Sequence, residues 1–245
     1  MFIHYRAHGI ILKKKPLGEA DQLFTIYTKE FGKLKILGRS IRKSSSKLRS
    51  GMEVFYLSEV EFIQGKIHKT LTDAILIEKF QNLRTDLKRL KIAFAISDVL
   101  DNFVREAEPD KKIWNLLNEI LRKLNNFSFV ISHLSLIYYY FFWNLISFLG
   151  YRPEVYNCSI CQRKLKPEKL YFNEKEGGII CFNCFKKMKS GFPLKPEIVK
   201  ILRIILKKDW KILSKLKIQK EYLKSLGEIS KRYSSFLLEK NEQDT

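Results

Sequence analysis

Polar and apolar residues alternate along residues 9–79, which is the pattern of β-strands with one buried face. Turn residues such as Pro16 and Gly18 interrupt the alternation, and a tight turn is expected at residues 65–66. The predicted strands are residues 9–14, 22–28, 33–38, 52–63 and 67–77. Five strands with one longer basic loop favour a five-stranded Greek-key barrel of the OB type, and an SH3-like barrel is the main alternative on this pattern alone.

The remainder of the chain has the spacing of helices. Apolar residues between Ile113 and Leu124 recur three and four positions apart, and Pro109 is expected in the first turn of that helix. Similar patterns predict further helices at residues 83–94, 196–205 and 223–236. The second part of the chain is therefore expected to be α-helical.

One stretch of this helical part, residues 129–149, contains no Asp, Glu, Lys or Arg and is long enough to span a bilayer. Its centre, however, is rich in tyrosine, and aromatic residues with polar groups belong at membrane interfaces and not at mid-span. The stretch also contains His133 and Asn144. We therefore predict a helix that is buried on all sides in a soluble domain and ends at Gly150, ahead of Pro153.

The four cysteines form two pairs, Cys158-x2-Cys161 and Cys181-x2-Cys184, with nineteen residues between the pairs. Two such turns supply four thiolates in a tetrahedron, which structural zinc prefers. The pair Gly177-Gly178 lies between short apolar runs and predicts a hairpin that returns the second cysteine pair to the first. Two disulfides, a redox-active pair or four unrelated thiols are the alternatives, and disulfides fit poorly because the N-terminal residues lack the apolar core of a secretory signal. We expect one structural Zn²⁺ ion.

These patterns together predict an α+β multidomain protein. An OB-fold nucleic-acid-binding domain is expected at residues 1–80, followed by an α-helical domain at residues 81–245. The zinc-binding segment is expected as an insertion in the second domain, at about residues 151–190.

The chain is strongly basic, with 46 Lys and Arg against 26 Asp and Glu and a formal net charge of +20. Such a charge indicates a polyanionic partner, with nucleic acid favoured over an anionic membrane. The predicted phosphate contacts lie where the first strand leads into the loop that follows it and in the long loop after the third strand. They are Lys13, Lys14, Lys15, Arg39, Arg42, Lys43, Lys47 and Arg49. Binding through them should weaken steeply with salt, because each neutralised phosphate releases counterions. A loop that is merely solvated is the alternative.

Two further groups are weaker candidates for nucleic-acid contact. OB barrels that bind single strands add stacking aromatic residues to a basic groove. The candidates here, each of which taken alone is expected in the core, are Phe24, Tyr27, Phe55 and Tyr56. The lysine-rich residues 200–220 are a second basic candidate, although such a stripe more often marks a solvated helix face.

Three common nucleotide-binding and catalytic motifs are absent from the sequence. It contains no G-x-x-x-x-G-K-[ST] phosphate loop, no glycine-rich dinucleotide loop and no H-E-x-x-H. The four histidines are scattered, and the carboxylates of the predicted barrel form no pair suited to general acid and base catalysis. These absences favour a non-enzymatic binding protein.

Five short motifs resemble parts of one bacterial protein family. The motifs are residues 9–21 (GIILKKKPLGEAD), 24–33 (FTIYTKEFGK), 38–42 (GRSIR), 149–153 (LGYRP) and 177–184 (GGIICFNC). The first three resemble the start of the RecO family of recombination mediators, and the last two resemble its zinc region. One departure is Gln162, where relatives often have the glycine that eases a turn with positive φ.

This resemblance implies an N-terminal OB domain followed by a helical domain that carries the zinc site. It also implies binding of single- and double-stranded DNA, annealing of complementary strands, and loading of RecA onto DNA coated with single-strand-binding protein (SSB). RecR and the acidic, apolar C-terminal tail of SSB are the implied protein partners. No nucleotide cofactor and no membrane partner are expected, and the protein is expected to be cytoplasmic and associated with the nucleoid. A zinc-containing RNA- or ribosome-binding factor with an OB fold is the main alternative.

Overall fold

The computed structural model describes residues 3–65, 67–126 and 134–243. The chain forms two compact units, Met1–Ser128 and Phe129–Thr245. Lys66 of the predicted tight turn lies outside the described residues. The same holds for the beginning of the predicted buried helix, up to and including His133.

The first unit contains a closed five-stranded barrel. Its strands are β1 (His4–Leu17), β2 (Asp21–Thr28), β3 (Gly32–Gly38), β4 (Leu57–Gln64) and β5 (Lys69–Glu78). The order around the barrel is β1-β2-β3-β5-β4; β3 and β5 are parallel, and the other pairs, including the closing pair β1–β4, are antiparallel. The predicted OB-like barrel followed by helices is confirmed.

Alternation along the strands separates the barrel interior from its outer surface. Phe24 and Ile26 of β2 lie in the interior core with Leu34 and Ile36 of β3, and none of the four is more than 2% exposed. Tyr27 points to the opposite side of β2, yet it is fully buried as well. The outer surface of the barrel is therefore partly covered by other elements of the first unit.

The fourth strand begins later than the sequence pattern predicts. A strand was expected from Met52, but β4 begins at Leu57. Phe55 has a φ of 62°, which interrupts an extended strand. The backbone N–H of Phe55 donates instead to the carbonyl of Ile11 at 2.7 Å, so the segment stays attached to the barrel after a short 3₁₀ helix, Lys47–Gly51.

Helices α1 (Gln81–Thr85), α2 (Leu87–Phe103) and α3 (Lys111–Asn126) also belong to the first unit. The carboxylate of Asp86 accepts hydrogen bonds from two backbone N–H groups at the start of α2, and Asp110 does the same for α3. The prediction that Pro109 lies in the first turn of α3 is wrong. Pro109 precedes the capping aspartate because that carboxylate, one residue later, satisfies the first N–H groups of the helix.

Helices α2 and α3 cover part of the outer surface of the barrel. Ser97 Oγ on α2 donates to the carbonyl of Leu12 at 3.1 Å. The ring of Tyr27 stacks on Trp114 of α3 with centroids 6.5 Å apart, and its hydroxyl donates to the carbonyl of Asp110 at 3.4 Å. Burial raises the pKa of Tyr27 to about 12. This side of β1 and β2 is therefore occupied by the protein itself.

The second unit is mainly helical. Its helices are α4 (Leu134–Phe148), α5 (Phe182–Met188), α6 (Pro196–Leu206), α7 (Trp210–Leu213) and α8 (Lys220–Gln243). Phe141, Phe142 and Trp143 of α4 are fully buried, and Asn144 Nδ2 donates to the carbonyl of Ile205 at 3.2 Å. In the part of the chain that is described, no helix combines the length and the apolar character needed to cross a membrane.

The lysines of residues 200–220 do not form a stripe on one helix. They are distributed over α6, the short α7, the first residue of α8 and the segments that connect these helices. Lys208 has a φ of 59° after the end of α6, and its ammonium lies 4.1 Å from the ring centre of Phe148. A stripe is not possible because the helical spacing is broken between Leu206 and Trp210.

A small sheet lies between α4 and α6 in the chain. Its strands are β6 (Leu170–Asn173), β7 (Gly178–Cys181) and β8 (Phe192–Leu194), in the order β7-β6-β8. Asn173 pairs with Gly178 across the turn, and Gly177 has a φ of 63°, so the predicted glycine hairpin is confirmed. Residues 154–194, which contain this sheet, α5 and all four cysteines, are called the cysteine lobe below.

Candidate metal centre and nucleic-acid interface

The first cysteine pair lies in a tight turn ahead of β6. Cys158 N–H donates to the carbonyl of Arg163, and the carbonyl of Cys158 accepts from Gln162 N–H, both at 2.9 Å. Gln162 has a φ of 59°, a conformation that costs a non-glycine residue about 1–2 kcal/mol. Its Nε2 donates to the carbonyl of Ser159 at 3.1 Å. The position therefore has the backbone conformation that glycine adopts without strain.

The second cysteine pair joins a strand to a helix. Cys181 is the last residue of β7, and Cys184 lies in the first turn of α5. The backbone N–H of Ser159 donates to the carbonyl of Ile179 at 2.9 Å, which ties the first turn to β7. The hairpin and this hydrogen bond bring the two pairs together, as the spacing predicted.

The four Sγ atoms lie within 4.8 Å of one another, and all four cysteines are free thiols. The Sγ atoms of Cys161 and Cys181 are 3.9 Å apart, near the separation of about 3.8 Å that a tetrahedron with metal–sulfur bonds of about 2.3 Å gives. The N–H of Cys181 lies 3.4 Å from the Sγ of Cys158 and donates to it. The cluster can hold a metal ion, and the protein would then supply all four ligand positions.

The thiols of this cluster have different electrostatic surroundings. The backbone N–H of Arg163 lowers the pKa of the Cys161 thiol to about 6, whereas burial raises the pKa of the Cys184 thiol to about 12. The Arg163 side chain hydrogen-bonds to Cys161, which raises the pKa of the guanidinium. A cation beside a group of thiolates offsets part of their negative charge, and a bound metal ion would offset the remaining negative charge.

Two lysines of the first strand, Lys13 and Lys14, are paired with carboxylates. Lys13 Nζ lies 2.8 Å from Asp98 and 2.9 Å from Asp101, while Lys14 Nζ lies 2.7 Å from Glu53. Burial lowers the pKa of Lys13, but the hydrogen bonds to the two aspartates outweigh it and the pKa is raised overall. Two of the eight predicted phosphate contacts are thus already neutralised by the protein.

The other six predicted phosphate contacts are exposed, and none makes an ion pair with a residue described by the structure. Lys15 lies near the end of β1, and the other five lie in residues 39–51, called the rim loop here. Arg42 Nη1 donates to the carbonyl of Gly18 at 3.2 Å, and Ser40 N–H donates to Asp21 at 2.7 Å. These bonds attach the rim loop to the turn between β1 and β2.

Part of the rim loop borders a notch in the barrel surface with a volume of about 190 Å³. Its basic lining residues are Lys14, Arg42 and Arg49, and Glu53 lies beside them. The four aromatic candidates for base stacking are not exposed there, since Phe24, Tyr27, Phe55 and Tyr56 are all at most 8% exposed. The notch therefore offers cations for a phosphate but no exposed ring from that group.

The sequence patterns did not single out one group of aromatic and basic residues in the cysteine lobe. This group, called the lobe face here, consists of Lys169, Tyr171, Phe182, Phe185 and Lys186. Phe182, Phe185 and Lys186 have the i, i+3, i+4 spacing of one helix face, so part of the signal is visible in the sequence. Tyr171 comes from β6, and no local spacing reveals its contact with α5.

Comparison with known proteins covers nearly the whole chain. The family model described as recombination protein O N terminal matches residues 1–80, and recombination protein O C terminal matches residues 84–244. The DNA repair protein RecO of Dehalococcoides mccartyi is 33% identical over 96% of this chain and 91% of the relative. The RecO proteins of Desulforamulus reducens and Acetivibrio thermocellus are each 29% identical, over 98% and 97% of this chain and 92% and 93% of those relatives. The chain belongs to the recombination protein O (RecO) family.

Proposed function

We propose that this chain is a non-enzymatic DNA-binding protein of recombinational repair in the RecF pathway, acting in the cytoplasm at the nucleoid. It binds single- and double-stranded DNA, anneals complementary strands, and with RecR helps load RecA onto single-stranded DNA coated with SSB. The name of the relatives, DNA repair protein RecO, supports the repair role. DNA binding rests on the rim loop, whose five exposed cations make no ion pair with a described residue and lie beside an OB-like barrel.

The mechanism is electrostatic. Two complementary strands repel each other because each carries one negative charge per nucleotide, and this repulsion slows their encounter. Guanidinium and ammonium groups of the rim loop that bind phosphates screen that repulsion and release counterions. Base pairing between the strands then supplies the sequence specificity, and the protein needs neither a nucleotide cofactor nor a bond-making step.

We assign the ion of the cysteine cluster as one structural zinc. Four thiolates at tetrahedral separation suit zinc, and a site with four protein ligands has no open position for a substrate. When bound, zinc supplies stability to a lobe with short strands and no chemistry of its own. The ligands are Cys158, Cys161, Cys181 and Cys184.

Charge reversal in the rim loop tests the DNA-binding role. The triple variant Arg39→Glu, Arg42→Glu and Lys43→Glu should lower affinity for single-stranded DNA about tenfold or more at moderate salt, because three phosphate contacts are lost. The slope of log affinity against log salt should become shallower by about 2, at about 0.7 per lost contact. Fluorescence anisotropy with a labelled oligonucleotide at several salt concentrations measures both quantities.

A matched control makes the same charge change elsewhere in the first unit. Lys29→Glu, Lys88→Glu and Lys91→Glu also reverse three exposed lysines that lack an ion pair with any described residue. If this control lowers affinity and salt slope as much as the rim-loop variant, net charge alone explains binding and the rim loop has no special role. An unchanged slope in the rim-loop variant would rule the loop out.

The mediator role needs a separate measurement. Complementary strands precoated with SSB should join faster when the protein is added, without ATP, and RecR should support the transfer of RecA to the coated strand. In our proposal the acidic SSB tail binds an apolar site rimmed by Lys and Arg in the second unit. Competition with RNA oligonucleotides at fixed salt distinguishes this function from an RNA- or ribosome-binding role, in which RNA would displace DNA.

A further inference from the structure

The short helix α5 has two different sides. Cys184 is buried on the side of the cysteine cluster. Phe182, Phe185 and Lys186 lie at i, i+3 and i+4 and form another side, where both rings are partly exposed. A metal ion held by the cysteines would therefore fix the orientation of a helix whose other side carries aromatic rings and a cation.

The rings of this side are arranged as a stack. Phe185 and Tyr171 are parallel, with an interplanar angle of 1° and centroids 3.6 Å apart. Tyr171 points to the opposite face of the sheet from Phe172, which is fully buried and packs edge-on against Trp143. Phe172 therefore belongs to the core of the second unit, while the Tyr171–Phe185 pair lies at the partly exposed side of the lobe.

Cations lie directly beside these rings. The ammonium of Lys186 is 4.6 Å and that of Lys169 is 5.4 Å from the centre of the Phe182 ring. Neither lysine makes an ion pair with a residue in the described ranges, and the same holds for Lys187 and Lys189. An ammonium held only by an exposed ring is weakly held, so a phosphate can recruit it.

We propose that the lobe face (Lys169, Tyr171, Phe182, Phe185 and Lys186) is a second binding site for single-stranded nucleic acid. This inference deepens the proposed function and rests on it. Bases stack on the partly exposed rings, and the lysines contact the flanking phosphates, which is how sequence-tolerant single-strand sites are built. The rim loop supplies cations without an exposed ring from the predicted candidates, whereas the lobe face supplies both.

A single-stranded partner fits this surface better than a duplex does. The rings of a stacking site must reach the faces of unpaired bases, and a duplex presents only base edges and phosphates. The site is also assembled only when α5 and β6 are held together, because Tyr171 comes from the strand and Phe185 from the helix. The metal ion would thus be required for strand binding although no nucleotide touches it.

Charge reversal on the full-length chain tests the proposal. Lys169→Glu with Lys186→Glu should weaken binding of a labelled oligo(dT) of about 30 nucleotides about fivefold to tenfold, and should make the salt slope shallower by about 1.4. The matched control is Lys164→Glu with Lys166→Glu, two exposed lysines of the same lobe with no aromatic partner among the described contacts. The control should change affinity less than twofold. Equal effects of both variants would overturn the proposal.

A second measurement uses the unaltered protein. An oligonucleotide that contains 5-iodouracil is crosslinked by light to aromatic residues against which the base stacks, and the modified peptides are identified by mass spectrometry. Adducts at Tyr171, Phe182 or Phe185 are expected. Adducts confined to the barrel would overturn the proposal.

Failure of this inference can be told apart from failure of the proposed function. If the lobe variant binds oligo(dT) like the wild type while the rim-loop variant binds weakly, the second site does not exist and the DNA-binding role stands. If the wild-type chain binds no oligonucleotide, both are wrong. If the lobe variant keeps its oligonucleotide affinity but loses binding to an acidic peptide with a C-terminal phenylalanine, the surface is a protein-docking site and the inference is wrong.

Discussion

The barrel has strands of seven to fourteen residues around a continuous apolar interior, whereas the cysteine lobe has strands of only three or four residues. A barrel of this size buries enough apolar surface to hold its own shape, and it has no open sheet edge. A three-stranded sheet with such short strands needs another constraint. In the lobe, we propose that a metal ion bound by the cysteine cluster supplies that constraint.

The lysines of the barrel and those of the cysteine lobe have different partners. On β1, Lys13 and Lys14 are neutralised by carboxylates of α2 and of the segment before β4. In the lobe, Lys169 and Lys186 are held by an aromatic ring and make no ion pair with a described residue. The comparison shows that an excess of basic residues in a sequence does not by itself give the positive surface; the nearest partner of each cation decides it.

The largest expected effect is loss of the metal. Cys184→Ser should abolish stoichiometric zinc and unfold the lobe, since a structural zinc site contributes about 10 kcal/mol or more of binding free energy to the fold it holds. Elemental analysis measures the metal, and hydrogen exchange should show lost protection in β6 and β7 but not in β1 to β5. Asn183→Ser, between the two ligands, is the control and should keep the metal. A lobe that stays protected in the Cys184 variant would contradict this comparison.

A cavity in the barrel should lower the stability of the barrel and leave the zinc content unchanged. Phe62 is 1% exposed and packs against Tyr5 and Phe31, so Phe62→Ala should lower the free energy of unfolding by about 3–5 kcal/mol. Denaturant unfolding measures the loss, and the zinc content should stay at one ion per chain. Loss of zinc in this variant would show that the barrel and the lobe do not unfold separately.

Removing the carboxylate that pairs with β1 and β3 should have a smaller effect. Asp101 lies 2.9 Å from the ammonium of Lys13 and 3.1 Å from that of the buried Lys33. Asp101→Asn should cost about 1–2 kcal/mol, because it leaves a buried ammonium without its counter-ion. Asp98→Asn is the control: that carboxylate is mostly exposed, and among the described residues its ion pair is with Lys13, so it should cost less than about 0.5 kcal/mol.

The carboxylate of Asp101 also predicts how the free energy of unfolding depends on pH. Burial raises the pKa of Asp101, but the hydrogen bonds from Lys13 and Lys33 outweigh it and the pKa is lowered overall. A lowered pKa stabilises the folded state above the unfolded value of about 3.9, and this stability is lost as the pH falls through the folded pKa. The difference in unfolding free energy between wild type and Asp101→Asn should therefore shrink below about pH 4. A constant difference would mean that the ion pair does not contribute.

The smallest expected effect concerns Gln162, in the tight turn of the first cysteine pair. Gln162→Gly should relieve the strain of its φ of 59° and stabilise the metal-bound lobe by up to about 1 kcal/mol. Gln162→Ala keeps the unfavourable φ and loses the hydrogen bond to Ser159, so it should be slightly destabilising. Thermal unfolding of the zinc-loaded protein distinguishes the two, and a stabilising alanine would show that φ is not the cause.

Local patterns predicted the elements whose causes are local. Alternation predicted the barrel strands, and Gly177 with the cysteine spacing predicted the hairpin that closes the metal cluster. The start of β4 was predicted too early because the left-handed conformation of Phe55 depends on a hydrogen bond to Ile11, far away in the sequence. The strand preferences of the amino acids in a short stretch of sequence give no information on a hydrogen-bond partner that lies far away in the chain.

The candidate site was harder to predict for the same reason. Lys13 resembles a phosphate ligand in the sequence, but its carboxylate partners come from α2. Tyr171 and Phe185 come from different elements, so their stacking follows from the folded lobe and not from spacing. The exposure of the rim-loop cations could be predicted from sequence, because a long polar loop with several cations is exposed whichever strands flank it.

The pairing of β1 with β4 has a consequence for synthesis of the chain. Residues 4–10 hydrogen-bond to residues 57–63, so a growing chain must expose the edge of its first strand until the fourth strand has left the ribosome. An unpaired edge is a template for contact with other nascent chains. The edge of the first strand that faces β4 is therefore the part of the barrel that stays open to wrong pairing longest during translation.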